Sequence, residues 1–176
     1  MRVPLTLIDF LERSALHGDR VAVVDDPESP ATLGNLSHGD LARRSRGLAC
    51  ALDRMGIRPG ARIAVVSPNS ARYVIALFGT SAFGRVIVPI NFRLHPHEIE
   101  YIAGHSGAEI ILIDPELETS LAGRLAVRTI VMNGIDDAEL FAPTDDEPVP
   151  WDPDEDATAS INYTSCLLYT SDAADE

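Results

Sequence analysis

Hydroxyl side chains cluster in one short segment near the end of the sequence, residues 160–165 (SINYTS). Ile161 and Tyr163 alternate there with polar residues, which is typical of a β-strand with one buried face. Thr164 and Ser165 follow at the predicted end of this strand. Hydroxyl groups and backbone N–H groups in such a position can donate hydrogen bonds to phosphate oxygens. Taken alone, the two residues can equally be ordinary strand-end residues.

Histidine and cysteine residues give weaker indications of chemistry. His95 and His97 flank a proline with no cysteine or third histidine close by, so we interpret them as loop histidines and not as metal ligands. Cys50 and Cys166 form neither a CxxC pair nor a disulfide framework. Three other histidines are isolated, and no serine or cysteine can be matched to them as a nucleophile: His17, His38 and His105. We therefore predict no catalytic and no metal-binding residue.

The net charge of −13 is distributed unevenly along the chain. Residues 1–128 contain 14 Arg and 14 acidic residues, whereas residues 129–176 contain 13 acidic residues and no base. The chain has no lysine, and neither part has the basic patch that a nucleic-acid partner requires. No apolar run reaches the roughly 18–20 residues of a transmembrane helix, and residues 1–10 lack the features of a signal peptide. These observations predict a cytoplasmic location.

Helical and strand-like patterns alternate over the first three quarters of the sequence. The predicted helices are residues 6–17, 37–55, 70–82, 96–103 and 115–125, and the predicted strands are residues 20–25, 63–66, 86–90, 110–113 and 129–132. Short apolar strands that alternate with helices predict an α/β fold, with a mostly parallel sheet and helices on both of its faces. Ser37 is the expected N-cap of the longest helix, and Gly56 is its expected stop.

An acidic loop interrupts this pattern at residues 136–157, which contain ten acidic residues, four prolines and no base. Such a composition disfavours a packed core. We therefore predict an exposed, poorly ordered connection.

Four segments, in order, resemble a known family. Residues 36–41 (LSHGDL) resemble its early L-[ST]-Y-x-E-L segment, and residues 58–65 (RPGARIAV) resemble its R-P-G-D-R-V-A-V segment. Residues 82–99 (AFGRVIVPINFRLHPHEI) are similar to its A-G-A-V-x-V-P-L-N and R-L-[ST]-P-x-E-[IL] segments. Residues 160–165 resemble the strand that enters its loop Y-T-S-G-T-T-G-x-P-K-G. The set resembles the adenylate-forming (AMP-binding) superfamily, most closely the acyl-CoA synthetases, or fatty-acid–CoA ligases.

The resemblance implies that the parent protein is an AMP-forming acid–thiol ligase that uses ATP, Mg²⁺ and CoA with a small-molecule carboxylate. It implies nucleotide contacts for Thr164 and Ser165 alone, because the family places its other site residues after the phosphate loop. Residues 1–165 are accordingly expected to form a partial, incomplete N-terminal AMP-binding domain that is inactive by itself. Since much of the cover of the family's sheet also comes from later chain, we expect a bare sheet face or an unpaired edge.

The similarity to the family's loop ends after Ser165. Cys166 stands where a glycine is expected, and nothing in residues 166–176 is glycine-rich or basic. This string resembles a translated sequencing adapter, and we therefore expect residues 166–176 to be a non-native tail. Two alternatives to the acyl-CoA synthetase remain open: a non-catalytic α/β interaction module, and an adenylation domain for an amino or aryl acid.

Overall fold

The computed structural model describes residues 5–29, 32–133 and 137–164. Its helices are α1 (Leu7–Ala15), α2 (His38–Arg54), α3 (Ala71–Ser81), α4 (Pro96–His105) and α5 (Glu118–Leu121), with a 3₁₀ helix at Pro115–Leu117. Its strands are β1 (Val21–Val23), β2 (Leu36–Ser37), β3 (Arg62–Val66), β4 (Val86–Ile90), β5 (Ile110–Ile113) and β6 (Arg128–Val131). In those residues no helix is long and apolar enough to cross a membrane.

Strands β3 to β6 form one parallel sheet in the order β4-β3-β5-β6. Helix α3 connects the neighbouring strands β3 and β4, and α4 carries the chain from β4 to β5 on the other side of β3, since parallel strands need a crossover connection. The predicted α/β fold with a mostly parallel sheet is therefore confirmed. Strands β1 and β2 form a separate antiparallel pair, of which β2 is too short to be recognised from its sequence pattern.

Successive residues of the central strands point to opposite faces of the sheet and enter two apolar cores. The first core lies beneath α1, α2 and α3 and contains these side chains of β3 and β5: Ile63, Val65, Ile110 and Leu112. The second core lies beneath α4 and contains the alternate ones: Ala64, Val66, Ile111 and Ile113. All eight are at most 2% exposed. The expectation of a bare face is therefore wrong for these two strands, because α4 and its flanking segments cover the second face.

Most of the large apolar side chains that remain exposed lie close to the N-terminus, among residues 5–24. They are Leu5, Phe10, Leu16, Val21 and Val24. The exposed apolar surface of the described chain thus belongs mainly to α1, β1 and the residues next to them.

The longest helix, α2, is capped as its sequence predicts. The Ser37 hydroxyl accepts a hydrogen bond from the Asp40 N–H at 3.0 Å, and the Asp40 carboxylate accepts one from the Ser37 hydroxyl at 2.8 Å. Hydrogen bonding from Ser37 is the main reason why the pKa of Asp40 lies below its usual value. At the other end Gly56 adopts a φ of 79°, which glycine tolerates best.

The single predicted helix over residues 115–125 is wrong. Pro115 begins a 3₁₀ helix whose first turn is capped by the Asp114 carboxylate. The α-helical part ends at Leu121, and Gly123 then adopts a φ of 70°. A left-handed residue cannot continue a right-handed helix, so the segment is limited to one short turn of each kind.

Residues 137–158, which we call the acidic strap, contain no α-helix or β-strand and run along the outside of α2. Arg44 donates to the Phe141 carbonyl at 2.8 Å. Further along, the Val149 N–H donates to the Asp53 carboxylate at 2.8 Å. A Cβ at Gly47 would lie 1.9 Å from the Ala142 carbonyl oxygen, so the strap can pass here only because residue 47 has no side chain.

The strap corrects the prediction of an exposed connection. Leu140 and Phe141 are 1% and 2% exposed and belong to the first core, and Asp137 is 2% exposed. Most of the other acidic residues of the strap do face solvent. Composition therefore indicated the solvent-facing side of this segment correctly, whereas its few apolar residues anchor it to the core.

Candidate functional site

The segment that leads to Thr164 lies beside β4, at the edge of the sheet opposite β6. The Ile87 N–H donates to the Ala159 carbonyl at 3.1 Å, and the Ile161 N–H donates to the Ile87 carbonyl at 2.9 Å. These two bonds pair Ile87 with Ser160 in parallel orientation. The Ser81 hydroxyl also donates to the Ala159 carbonyl, at 2.8 Å. The acidic strap thus carries the chain from one sheet edge to the other and places residues 159–161 as a short fifth strand.

Pro89 limits this fifth strand. In β4, the Val86 N–H donates to the β3 side, to the Ala61 carbonyl, whereas the Ile87 N–H points to the outer side. Alternation along the strand places residue 89 on the same side as Ile87. Proline has no N–H, so β4 cannot provide the next bond, to the Ile161 carbonyl. Residues 162–164 are accordingly described without strand structure.

Side chains hold the segment where the backbone ladder stops. Ile161 packs against the second core. The Tyr163 hydroxyl lies 2.7 Å from Nδ1 of His105, which is the last residue of α4. The two rings are nearly perpendicular with centroids 5.8 Å apart, and the Tyr101 ring stacks on that of His105 at 5.4 Å. Helix α4 therefore provides the support for the last described residues.

Thr164 is exposed at the end of this segment. Among the described residues no hydrogen-bond partner is seen for its hydroxyl, which is thus available to a ligand. Ser165, the second predicted nucleotide contact, lies outside the described residues, as does the predicted tail 166–176. The structure consequently locates one of the two predicted site residues, at the carboxyl end of a parallel strand, where α/β sheets commonly bind ligands.

Polar residues also follow the neighbouring strands, but they stabilise the protein's own backbone. Ser67 follows β3 and Asp114 follows β5, and their side chains lie 3.4 Å apart. Asp114 accepts from the Glu116 N–H at 3.1 Å. Asp25 accepts from the N–H of Ala71 at the start of α3, at 3.0 Å. These carboxylates complete turns and a helix N-terminus.

A buried ion pair, missed by the sequence analysis, joins α3 to the start of the acidic strap. Nε and Nη2 of Arg72 lie 2.9 and 2.7 Å from Oδ2 of Asp137, and the two side chains are 6% and 3% exposed. Arg72 also donates to the Thr32 carbonyl at 2.8 Å and lies over the Phe141 ring. The guanidinium is thus surrounded by the protein's own groups and is not available to a phosphate.

Arg85 is the second buried arginine among the described residues, at 1% exposure. Its Nε donates to the Ile57 carbonyl at 3.0 Å, and its guanidinium pairs with Asp53. Gly84 precedes it with a φ of 76°, and a Cβ there would lie 2.7 Å from the Trp151 ring. This corner joins the loop before β4 to α2 and to the acidic strap.

The histidines form no metal site in the part of the chain that the structure describes, where no three His, Cys, Asp or Glu side chains converge. His95 and His97 stack on each other at the start of α4. His38, in contrast, lies with Nδ1 2.6 Å from the Ser14 hydroxyl, a contact that the sequence did not indicate. Among the described residues no carboxylate hydrogen bonds to His38, and the pair serves as a link between α1 and α2.

Cys50 lies in α2 beneath the acidic strap, where its thiol contacts the Asp146 carbonyl at 3.7 Å. Burial, together with the negative charge of Asp53, raises the pKa of the Cys50 thiol above its ordinary value. A raised pKa disfavours the thiolate, which is the nucleophilic form. This environment is typical of a structural, unreactive cysteine.

Comparison with known proteins agrees with the geometry of the sheet and of its outer segment. Residues 10–171 match the AMP-binding enzyme family. A feruloyl-CoA synthase from Amycolatopsis sp. is 35% identical over 136 residues, which are 77% of this chain and 26% of that protein. A long-chain-fatty-acid–CoA ligase from Escherichia coli O157:H7 is 30% identical over 137 residues, 75% of this chain and 23% of that protein.

Solved structures show the same fold. A long-chain-fatty-acid–CoA ligase from Archaeoglobus fulgidus superposes with a TM-score of 0.81 at 23% identity, over 95% of this chain and 36% of that one. An anthranilate–CoA ligase superposes with a TM-score of 0.73 at 23% identity, over 94% of this chain and 32% of that one. The chain spans about a quarter of the length of the curated relatives described above. With its family match over residues 10–171, the chain belongs to the AMP-binding enzyme family.

Proposed function

We propose that this chain is the N-terminal part of an ATP-dependent acyl-CoA synthetase and supplies the strand that enters the phosphate-binding loop. The observation that carries the proposal is the position of residues 159–164. They lie at the outer edge of a parallel sheet and end on the free Thr164 hydroxyl. Family membership and the ligase names of the relatives support the same reaction class.

The proposed reaction has two steps. A carboxylate oxygen attacks the α-phosphorus of ATP, and the bond from this phosphorus to the oxygen that bridges to the β-phosphate breaks. Pyrophosphate departs, and the product is an acyl-adenylate. The thiol of CoA then loses its proton and attacks the acyl carbon, and AMP leaves with the bonding electrons. In the first step Thr164 and Ser165 would donate hydrogen bonds to phosphate oxygens and orient them. The described side chains provide no ligand set for Mg²⁺, so we assign it no step here.

The 176-residue chain is proposed to be inactive by itself. It contains no lysine, and the two buried arginines among the described residues, Arg72 and Arg85, are paired with Asp137 and Asp53. Two hydroxyl groups contribute about 1–3 kcal/mol through hydrogen bonds to charged oxygens. Even a dissociation constant near 1 mM requires about 4 kcal/mol. The residues present therefore fall short of useful ATP affinity.

The substrate is proposed to be a small carboxylic acid that is converted to its CoA thioester. The relatives include a feruloyl-CoA synthase and a long-chain-fatty-acid–CoA ligase at similar identity, so an aryl acid is as well supported as a fatty acid. Residues 1–128 carry no net charge, and this charge balance favours neither class of acid. A non-catalytic interaction module is the competing hypothesis, because the fold alone does not require ATP binding.

A chimera tests the proposal. Residues 10–164 of this chain would replace the aligned region of the Amycolatopsis feruloyl-CoA synthase, and in parallel that of the E. coli ligase. Carboxylate-dependent pyrophosphate release would be measured with ferulate, octanoate and acetate. We expect activity in at least one chimera, because the segment then meets a complete phosphate loop.

The matched control is Thr164→Val in the active chimera, which keeps the shape of the side chain and removes the hydroxyl. We expect the KM for ATP to rise or kcat/KM to fall roughly 10-fold, in line with one hydrogen bond to a charged group. Two chimeras that unfold cooperatively but release no pyrophosphate would favour the non-catalytic module. An unchanged Thr164→Val variant would show that the segment does not contact the nucleotide.

A further inference from the structure

Backbone hydrogen bonds from β4 hold the segment that leads to the proposed phosphate loop only as far as Ile161, before Thr164 is reached. Pro89 cannot donate to the Ile161 carbonyl, and the pairing with β4 consists of the two bonds made by Ile87. Two residues, Asn162 and Tyr163, remain between Ile161 and the exposed Thr164. A hydroxyl that orients a phosphate has to be held in place, so another part of the molecule must fix these residues.

A side-chain contact between His105 and Tyr163, which are 58 positions apart in sequence, holds this segment. Tyr163 immediately precedes Thr164, and its hydroxyl lies 2.7 Å from Nδ1 of His105. The His105 ring contacts two tyrosine rings, the nearly perpendicular Tyr163 ring and the stacked Tyr101 ring. His105 also ends α4, which is anchored in the second core by Ile99 and Ile102 at 1% and 8% exposure.

We propose that His105 is a positioning residue for the phosphate-binding loop: it holds Tyr163 and thereby replaces the ladder bond that Pro89 cannot make. This inference rests on the proposed function, since it assigns to His105 the placement of the Thr164 hydroxyl. His105 does not contact the nucleotide. The side chain acts through Tyr163, and α4 transmits the rigidity of the second core to the start of the loop.

Four variants of the 176-residue chain separate this role from a general effect on folding. His105→Phe keeps an aromatic ring against Tyr101 and removes Nδ1, whereas Tyr163→Phe removes the hydroxyl at the other end of the same bond. His105→Asn places an amide close to the position of Nδ1 and is the conservative rescue. His97→Phe is the matched control, because His97 lies on the same helix and stacks on His95 without contacting Tyr163.

Two NMR measurements need no catalytic activity. Amide hydrogen exchange of Ile161, whose N–H is bonded to Ile87, should accelerate roughly 2- to 10-fold in His105→Phe and in Tyr163→Phe, the effect expected for loss of one neutral hydrogen bond. The double variant should be no faster than either single one. ¹⁵N relaxation of Asn162 and Thr164 should show increased fast motion in the same variants, and His105→Asn should restore both readouts.

The ring nitrogens of His105 give a direct signature of the contact. Tyr163→Phe should shift the Nδ1 resonance of His105 and leave that of His97 unchanged. The global unfolding midpoint should change little in any of the variants, because the contact is partly exposed. Unchanged exchange at Ile161, additive effects in the double variant, or an equal effect of His97→Phe would overturn the proposal. These outcomes concern the chain alone, so they are distinguishable from a failure of the ligase activity in the chimeras.

Discussion

The ion pair between Arg72 and Asp137 is the interaction whose loss should destabilise this protein most. Two guanidinium nitrogens share one carboxylate oxygen at 2.9 and 2.7 Å, and both side chains are more than nine-tenths buried. Replacing Arg72 by Met leaves the Asp137 carboxylate buried without its counter-charge. Breaking a buried pair in this way costs about 3–5 kcal/mol, against a total stability of about 5–15 kcal/mol for a domain.

Urea denaturation at neutral pH measures this cost directly. The matched control is Arg43→Met, the same substitution on α2 in the exposed pair with Asp40, whose side chains are 48% and 39% exposed. Exposed pairs contribute about 0–1 kcal/mol. The double variant Arg72→Met/Asp137→Leu removes both charges and should recover most of the loss, apart from the hydrogen bonds of Arg72 to the Thr32 carbonyl and to Asn133. If Arg72→Met cost no more than Arg43→Met, or if the double variant were less stable than Arg72→Met, the reasoning from burial would be refuted.

Four further predictions concern the Ser37 helix cap, the Cys50 thiol, the proposed inactivity of the 176-residue chain and the tail of residues 166–176. Ser37→Ala should lower the free energy of unfolding of the chain by about 1 kcal/mol. Hydrogen bonding from Ser37 lowers the folded-state pKa of Asp40 from its ordinary value of 3.8. The stability that the ionised Asp40 contributes is therefore present above pH 3.8 and is lost as the pH falls through the folded-state pKa. The difference in free energy of unfolding between wild type and Ser37→Ala, measured by urea titration, should therefore become smaller below pH 4. A difference that stays constant with pH would contradict this linkage. In the Cys166→Ser variant at pH 8, Cys50 should react with iodoacetamide far more slowly in the folded protein than in the denatured protein, because burial raises the pKa of its thiol. Equal rates in the two states would contradict the burial of Cys50. The purified chain should release no carboxylate-dependent pyrophosphate from ATP with octanoate, benzoate or acetate, and calorimetry should detect no nucleotide binding tighter than about 100 μM; either signal would refute its proposed inactivity. Deleting residues 166–176 should leave the unfolding midpoint unchanged or slightly raised, whereas a loss of about 1–2 kcal/mol would show that the tail packs natively.

Patterns between near neighbours in the sequence were sufficient to predict most of the regular structure. The apolar run at Ile110–Ile113 is a strand in both the prediction and the structure. Ser37 and Gly56 mark the two ends of α2 as their chemistry indicates. The four ordered segments pointed to the family that the chain proves to match. The strand and the helix ends depend on the local backbone and on burial periodicity, which a sequence displays directly.

The acidic strap shows where that reasoning stopped. Its composition correctly indicated a solvent-facing surface, but the sequence pattern did not reveal that Phe141 reaches the first core or that Gly47 gives the strap room to pass. Both features depend on which helix face the returning chain crosses. The partial domain boundary at residue 165 and the non-native tail stay predictions, because they concern residues that the structure does not describe.

The sequence by itself indicated the segment that we propose enters the phosphate loop, with its hydroxyl residue Thr164. Only the tertiary structure decided how that strand is held: by Ile87 on one side, with Pro89 ending the ladder, and by His105 through Tyr163. Likewise, the pairing of Arg72 with Asp137 across 65 residues could not be read from either residue's neighbours. The physical reason is that local propensity acts over a few residues, whereas these contacts exist only after strand order and helix crossing have brought distant parts of the chain within hydrogen-bond distance.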